Sequence, residues 1–335
     1  DSTARSLHPT VPSGTPAMPT SPRSLLLVVS LLASACAGGN VEPRVDTDAG
    51  GSDTGTVAPQ DTGTPDDATA PVDAATPPVD APAPVDTPPA GDAGPGRCMG
   101  NRDGVIARSE MAFLVGATVT FAINRPGTVV EGVNTAGVPL PDTAGARLWD
   151  YAAATPNDTR VLDEVIPPTG QWWASRYPTA TYAAVLDRAT NLLGVYRATD
   201  AALELLATVS TEANRTNLTM TPPVTVLQFP LRVGATWRQT VTATGLVNFV
   251  ALTNTTDYVS TVDASGELRT AAGRFPVLRL STTLDQRIPL TVFRRTARSF
   301  TFLSECWGVV GRVASVDDEA AAEFSRASEY RRLGL

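Results

Sequence analysis

The sequence predicts an all-β domain, an antiparallel sandwich or half-barrel, behind a long disordered N-terminal tether. Three observations carry that expectation. Apolar and polar residues alternate with period two through most of the last 240 or so residues. The alternating runs are rich in Thr and Val and end in turn residues, at Thr199-Asp200, Ala264-Ser-Gly266 and Ala271-Ala-Gly273. Composition also breaks near residue 97, since residues 41–96 hold eleven Asp or Glu, eleven Pro, the single base Arg44 and no aromatic residue.

At the N-terminus, Arg23-Ser-Leu-Leu-Leu-Val-Val-Ser-Leu-Leu-Ala-Ser-Ala-Cys36 sets a base before a short apolar core and small residues before a cysteine. That is the layout of an export signal over residues 18–35, started at Met18, with residues 1–17 as upstream read-through. Its apolar run, Leu25 to Leu32, is about half the ~20 residues needed to span a bilayer. The stretch resembles the lipobox of bacterial lipoproteins, although Ala33 stands where leucine is usual. The resemblance implies fatty acylation (palmitate) of Cys36 and a membrane anchor. Ala37 is not the aspartate that marks inner-membrane retention in enteric lipoproteins, so the outer membrane is the expected destination.

Residues 36–96 read as the lipid-anchored tether, too poor in apolar surface to offset the entropy of ordering. As a flexible coil the 56 residues 41–96 would span about 40 Å, and proline-stiffened up to ~170 Å. Residues 97–335 hold 23 Arg against 22 Asp plus Glu, so the acidity of the chain belongs to the tether. No lysine occurs, and the scattered arginines form no basic stripe, which excludes nucleic acid as an expected partner.

Cys98 and Cys306 remain once Cys36 is assigned to the anchor, and an even remainder in an oxidising compartment predicts one disulfide. Directly after Cys98, Met99-Gly-Asn101-Arg-Asp103-Gly104-Val105-Ile106 leads to Glu110. Aligned on Gly104, this stretch resembles an EF-hand or dockerin calcium loop. The resemblance implies oxygen ligands from Asn101, Asp103, the Val105 carbonyl and Glu110, although Met99 replaces the first aspartate. The alternative is a degenerate loop that only turns the chain.

Strands follow. Trp237, Gln239, Val241 and Ala243 alternate with Thr236, Arg238, Thr240 and Thr242; Leu203 to Val209 and Leu278 to Leu284 repeat the pattern. Prolines at 222–223, 230, 276 and 289 mark edges and corners, because proline cannot donate to a ladder. Residues 317–333 could cap a helix at Asp317-Asp-Glu, but Phe324, Ser328 and Tyr330 fit a final strand returning along Val309–Val316, and a strand is expected. The five tryptophans read chiefly as core; the adjacent Trp172 and Trp173 are the candidate ligand platform.

The only histidine, His8, lies ahead of the signal, so imidazole-based triads and zinc sites are excluded from the mature chain. No phosphate loop or dinucleotide fingerprint occurs. Carboxylate neighbours such as Asp163-Glu164 and Asp317-Asp318-Glu319 remain for acid–base chemistry, yet adjacent residues rarely face one another across a substrate.

The series Phe229-Pro-Leu-Arg-Val-Gly234-Ala-Thr-Trp237, Gly273-Arg-Phe275-Pro, Phe300-Thr-Phe302 to Gly308 and Glu329-Tyr-Arg-Arg-Leu333 resembles myxobacterial lipoproteins that also place an Asn-x-Asp-Gly loop after a tether. A looser likeness, at fold level, is to the half-barrels of lipoprotein-localisation carriers. The expectation is a non-enzymatic binding or envelope-interaction module over residues 97–335, taking a lipid or glycan. The rivals are a carboxylate hydrolase of envelope glycans and a calcium-ordered surface protein.

Overall fold

The computed structural model describes Cys98 and residues 100–111, 116–187, 190–287 and 294–334. The expected signal over residues 18–35, Cys36, the expected tether over 36–96 and Met99 lie outside the described residues.

Seventeen strands and a single 3-10 turn (Arg108–Glu110) make up the described secondary structure. The first stretch gives β1 (Val105–Ile106), β2 (Thr118–Asn124), β3 (Val130–Glu131), β4 (Val138–Pro139), β5 (Arg147–Asp150) and β6 (Asp158–Ile166). Next come β7 (Tyr182–Asp187), β8 (Leu192–Ala198), β9 (Ala202–Ser210), β10 (Asn217–Gln228), β11 (Leu231–Arg232) and β12 (Thr236–Val247). The last are β13 (Val250–Thr270), β14 (Gly273–Arg287), β15 (Arg294–Ser304), β16 (Gly308–Ser315) and β17 (Arg326–Leu333).

Twelve of these strands form one antiparallel meander, β2-β6-β7-β8-β9-β10-β12-β13-β14-β15-β16-β17, and β17 pairs back onto β2. The all-β antiparallel expectation holds, and the sheet goes further than a half-barrel by closing into a ring. Closure removes the unpaired edges that an open sheet leaves. The final strand is Arg326–Leu333, so the 317–333 stretch is strand in its second half.

Alternation follows from the register. Along β12, Val241, Ala243 and Val247 are buried while Thr236, Arg238, Thr240 and Thr244 are exposed. The inward residues of β7 to β15 build the largest core, including Tyr182, Leu205, Leu218, Tyr258, Leu278, Leu280 and Leu284. The outer face at β10 and β12 carries threonine and arginine where a membrane-spanning barrel carries an apolar band.

Two excursions cover other parts of the outer wall. The β6–β7 connection lays Trp173 and Tyr177 over Ala183, Leu193, Val195 and Val209. The β2–β6 connection carries β3, β4 and β5; β5 pairs in parallel with the far part of β13, and Trp149 and Tyr151 pack on Phe302. The turn expected at Ala264-Ser-Gly266 is instead an irregularity inside β13, which runs on for 21 residues. Gly266 is required there: at φ +157, a Cβ would lie 1.8 Å from the Arg147 carbonyl oxygen of β5. Pro276 lies on the far part of β14, which pairs only with β13, as a non-donor should.

Candidate functional site

Successive connections of a meander alternate between the two ends of the barrel, which places the β10–β12, β13–β14 and β15–β16 connections at one end. The segment preceding β2 is fastened across that end. β1 pairs with β11 inside the β10–β12 connection. Cys98 is disulfide-bonded to Cys306 in the β15–β16 connection, with Cα atoms 5.3 Å apart, and the Cys306 N–H donates to the Glu110 carbonyl at 2.7 Å. Ile106 and Met111 then enter the interior core as stoppers, 3% and 1% exposed.

Beside this plug the barrel mouth stays open as a cleft of about 310 Å³. Leu278 and Leu303, members of the interior core, form its floor with Val277; Ile106 and Gly104 stand on the plug side, Leu140 and Ala146 on the other. Charge enters at Arg102, Glu267 and Glu305. Glu267 is paired with Arg274 at 3.2 Å. Glu305 accepts the Arg102 backbone N–H at 2.9 Å, but among the described residues no ion pair joins the two side chains. The volume sits at the low end for small-molecule sites, and the apolar lining with few polar groups has their usual character.

The Asn101–Glu110 loop is one wall of that cleft. Gly104 turns the chain at φ +81; Asn101 Oδ1 accepts from Asp103 N at 3.0 Å and Asp103 Oδ1 from Val105 N at 2.8 Å. Glu110 is buried, and its Oε2 accepts from Ala107 N at 2.8 Å, capping the 3-10 turn. The oxygen-bearing side chains follow the chain order of a calcium loop around a glycine turn, although hydrogen bonds within the turn already engage the single Asn101 oxygen, both Asp103 oxygens (Oδ2 accepts from Asn101 Nδ2 at 3.0 Å) and one Glu110 oxygen. No cluster of three or more His, Cys, Asp or Glu suited to a metal occurs among the described residues.

The tryptophan pair takes another role. Trp172 and Trp173 lie in a turn of the β6–β7 connection, not on a strand. Trp173 is completely buried in the outer-wall core, and Trp172 donates Nε1–H to the Ser210 carbonyl at 3.0 Å under the Arg176 guanidinium. Neither forms part of the cleft.

Sequence reasoning missed a buried charge ladder inside the barrel. Arg312 on β16 and Arg331 on β17 are directly opposed, and both bind Glu329, Arg331 through its Nε at 3.1 Å; Arg331 also reaches Asp163 on β6. Burial pushes the Glu329 carboxyl up, but Arg312 and Arg331 together outweigh it and hold the group below the usual glutamate range. The legible signal was local: Arg312 is the only charge in an otherwise apolar or small run, Gly308–Ser315, and Glu329 and Arg331 alternate with Leu333 on one strand face. Asp163 and Glu164 do not combine, because Asp163 points inward while Glu164 is exposed. Asp317 pairs with Arg295 at 2.6 Å, Asp318 accepts from Thr296 N at 2.9 Å and Glu319 from Ala321 N at 3.1 Å. Comparison with protein-family models, with curated proteins and with solved structures yields no match to this chain.

Proposed function

We propose that the chain is an exported lipoprotein, held at the outer membrane through a lipid on Cys36, whose barrel is a non-enzymatic binding module with the mouth cleft as its site. The observation that carries the reading is an opening of about 310 Å³ floored by core leucines at the end where the plug is stapled. A barrel needs no such recess for stability, since apolar surface left open forgoes roughly 25 cal/mol per Å². Native mass spectrometry of protein made in its own host checks the site: an apolar small molecule should co-purify and be lost in Leu140→Trp, which fills the recess. Radiolabelled palmitate should enter the product and be absent from Cys36→Ser. An unliganded parent that takes up no added amphiphile contradicts the first part, and an unlabelled parent the second.

A second role is supported by the order of oxygens around Gly104: calcium stiffens the plug wall. Calcium should then raise the melting temperature of the full chain, and Glu110→Ala should remove the rise. No rise in the parent ends this reading and leaves the cleft untouched.

A further inference from the structure

We infer that the mouth cleft selects a zwitterionic amphiphile, one with an anionic phosphate and an ammonium group on a single head and an apolar chain behind it. The inference rests on the binding reading above and names its ligand class. Arg102 and Glu305 line the same cleft with opposite charges, and among the described residues no ion pair joins their side chains. Among the described residues Glu305 accepts a hydrogen bond only from the backbone N–H of Arg102, which leaves one carboxylate oxygen and the whole guanidinium without a described partner. The third charge, Glu267, is already neutralised by Arg274. Two opposite charges that form no ion pair with each other, beside Ile106 and a floor of Leu278 and Leu303, complement a head that carries both signs and a tail that carries none. Arginine takes the phosphate through paired N–H donors, and the carboxylate takes the ammonium. A singly anionic head would leave Glu305 facing a like charge, and an uncharged head would leave both side chains merely solvated.

The test titrates the full chain by calorimetry with three soluble amphiphiles below their micelle concentrations: dihexanoyl phosphatidylethanolamine, dihexanoyl phosphatidylglycerol and octyl glucoside. The expected result is phosphatidylethanolamine bound about tenfold or more tighter than either other probe, about 1.4 kcal/mol. Arg102→Gln and Glu305→Gln should each remove most of that preference, whereas Arg160→Gln on the exposed face of β6 should not. Glu305→Gln keeps an oxygen for the Arg102 N–H, and unchanged melting curves confirm that both variants fold. Equal affinity for the three probes, or a preference that survives Arg102→Gln, overturns the zwitterion assignment while leaving the cleft reading intact. Absence of binding by all three removes both.

Discussion

Replacing Arg331 with methionine isolates the energetic weight of the charge ladder inside the barrel. Methionine keeps much of the side-chain volume and removes the guanidinium that joins Asp163 to Glu329. Arg331 and Asp163 side chains are only 5% and 4% exposed, so water cannot replace the lost partner. Breaking a buried pair on one side costs about 3–5 kcal/mol, because a desolvated charge stays behind. By contrast, Arg269→Met, which breaks the pair to Asp150 at 39% and 52% side-chain exposure, should cost less than about 1 kcal/mol. The pH dependence gives an independent reading. In the parent, the lowered pKa of Glu329 contributes stability that is complete above the unfolded value of about 4.3 and is lost as pH falls through the lower folded value. In the variant, Glu329 keeps Arg312 but loses Arg331, so less of that stability is present at neutral pH and the difference from the parent fades as pH falls. Parent and variant should therefore converge on acidification. Urea unfolding followed by tryptophan fluorescence at pH 7 and near pH 4 measures both effects. Adding Asp163→Asn to Arg331→Met should recover part of the loss. A deficit under 1 kcal/mol at pH 7, or one that widens in acid, refutes the reasoning.

Opening the staple by Cys306→Ser removes a crosslink spanning 208 positions, worth about 5 kcal/mol in chain-entropy accounting, and should lower the urea midpoint in oxidising buffer but not under reductant. Gly266→Ala should unseat β5 from β13, because its methyl would overlap the Arg147 carbonyl; proteolysis within residues 138–150 should rise sharply while far-ultraviolet dichroism changes little. The parent itself should lose stability in acid. Burial raises Asp158 but hydrogen bonds from Thr155 and Arg332 more than offset this and lower its pKa, so its contribution, like that of Glu329, is present above the ordinary carboxylate range and disappears below it. A parent whose urea midpoint is flat from pH 6 to pH 3 contradicts that assignment.

Much of the wall was legible because side chains on a half-buried strand must alternate. The runs at Thr236–Ala243 and Leu278–Leu284 announce their inward faces, and each lies in a barrel strand. Leu203–Val209 also lies in one, but a register shift turns its apolar set, so Leu203 and Leu205 join the interior core and Ala207 and Val209 the outer-wall core. The disulfide followed from counting cysteines. Closure was not legible, because pairing between Phe121 and Leu333 is set by accumulated twist and strand number, which no local pattern records. The charge ladder was obscured by the rule that arginine and glutamate face water; only mutual neutralisation inside the ring lets Arg312 be buried. The Ala264–Gly266 turn was misread because glycine has two uses. Here it admits a neighbouring backbone instead of reversing the chain. The cleft could not be foreseen at all, since Arg102, Leu140 and Glu305 come together only after the plug crosses the mouth.

The seam between Thr118–Asn124 and Arg326–Leu333 makes this architecture an all-or-none construction. Loss of the last eight strand residues would strip the partner from both Gly308–Ser315 and Thr118–Asn124 at once, converting a closed ring into an open sheet with two sticky borders. Polypeptides clipped at the C-terminal side should accordingly recruit one another through strand addition. That hazard rewards synthesis that withholds folding until the whole chain has emerged.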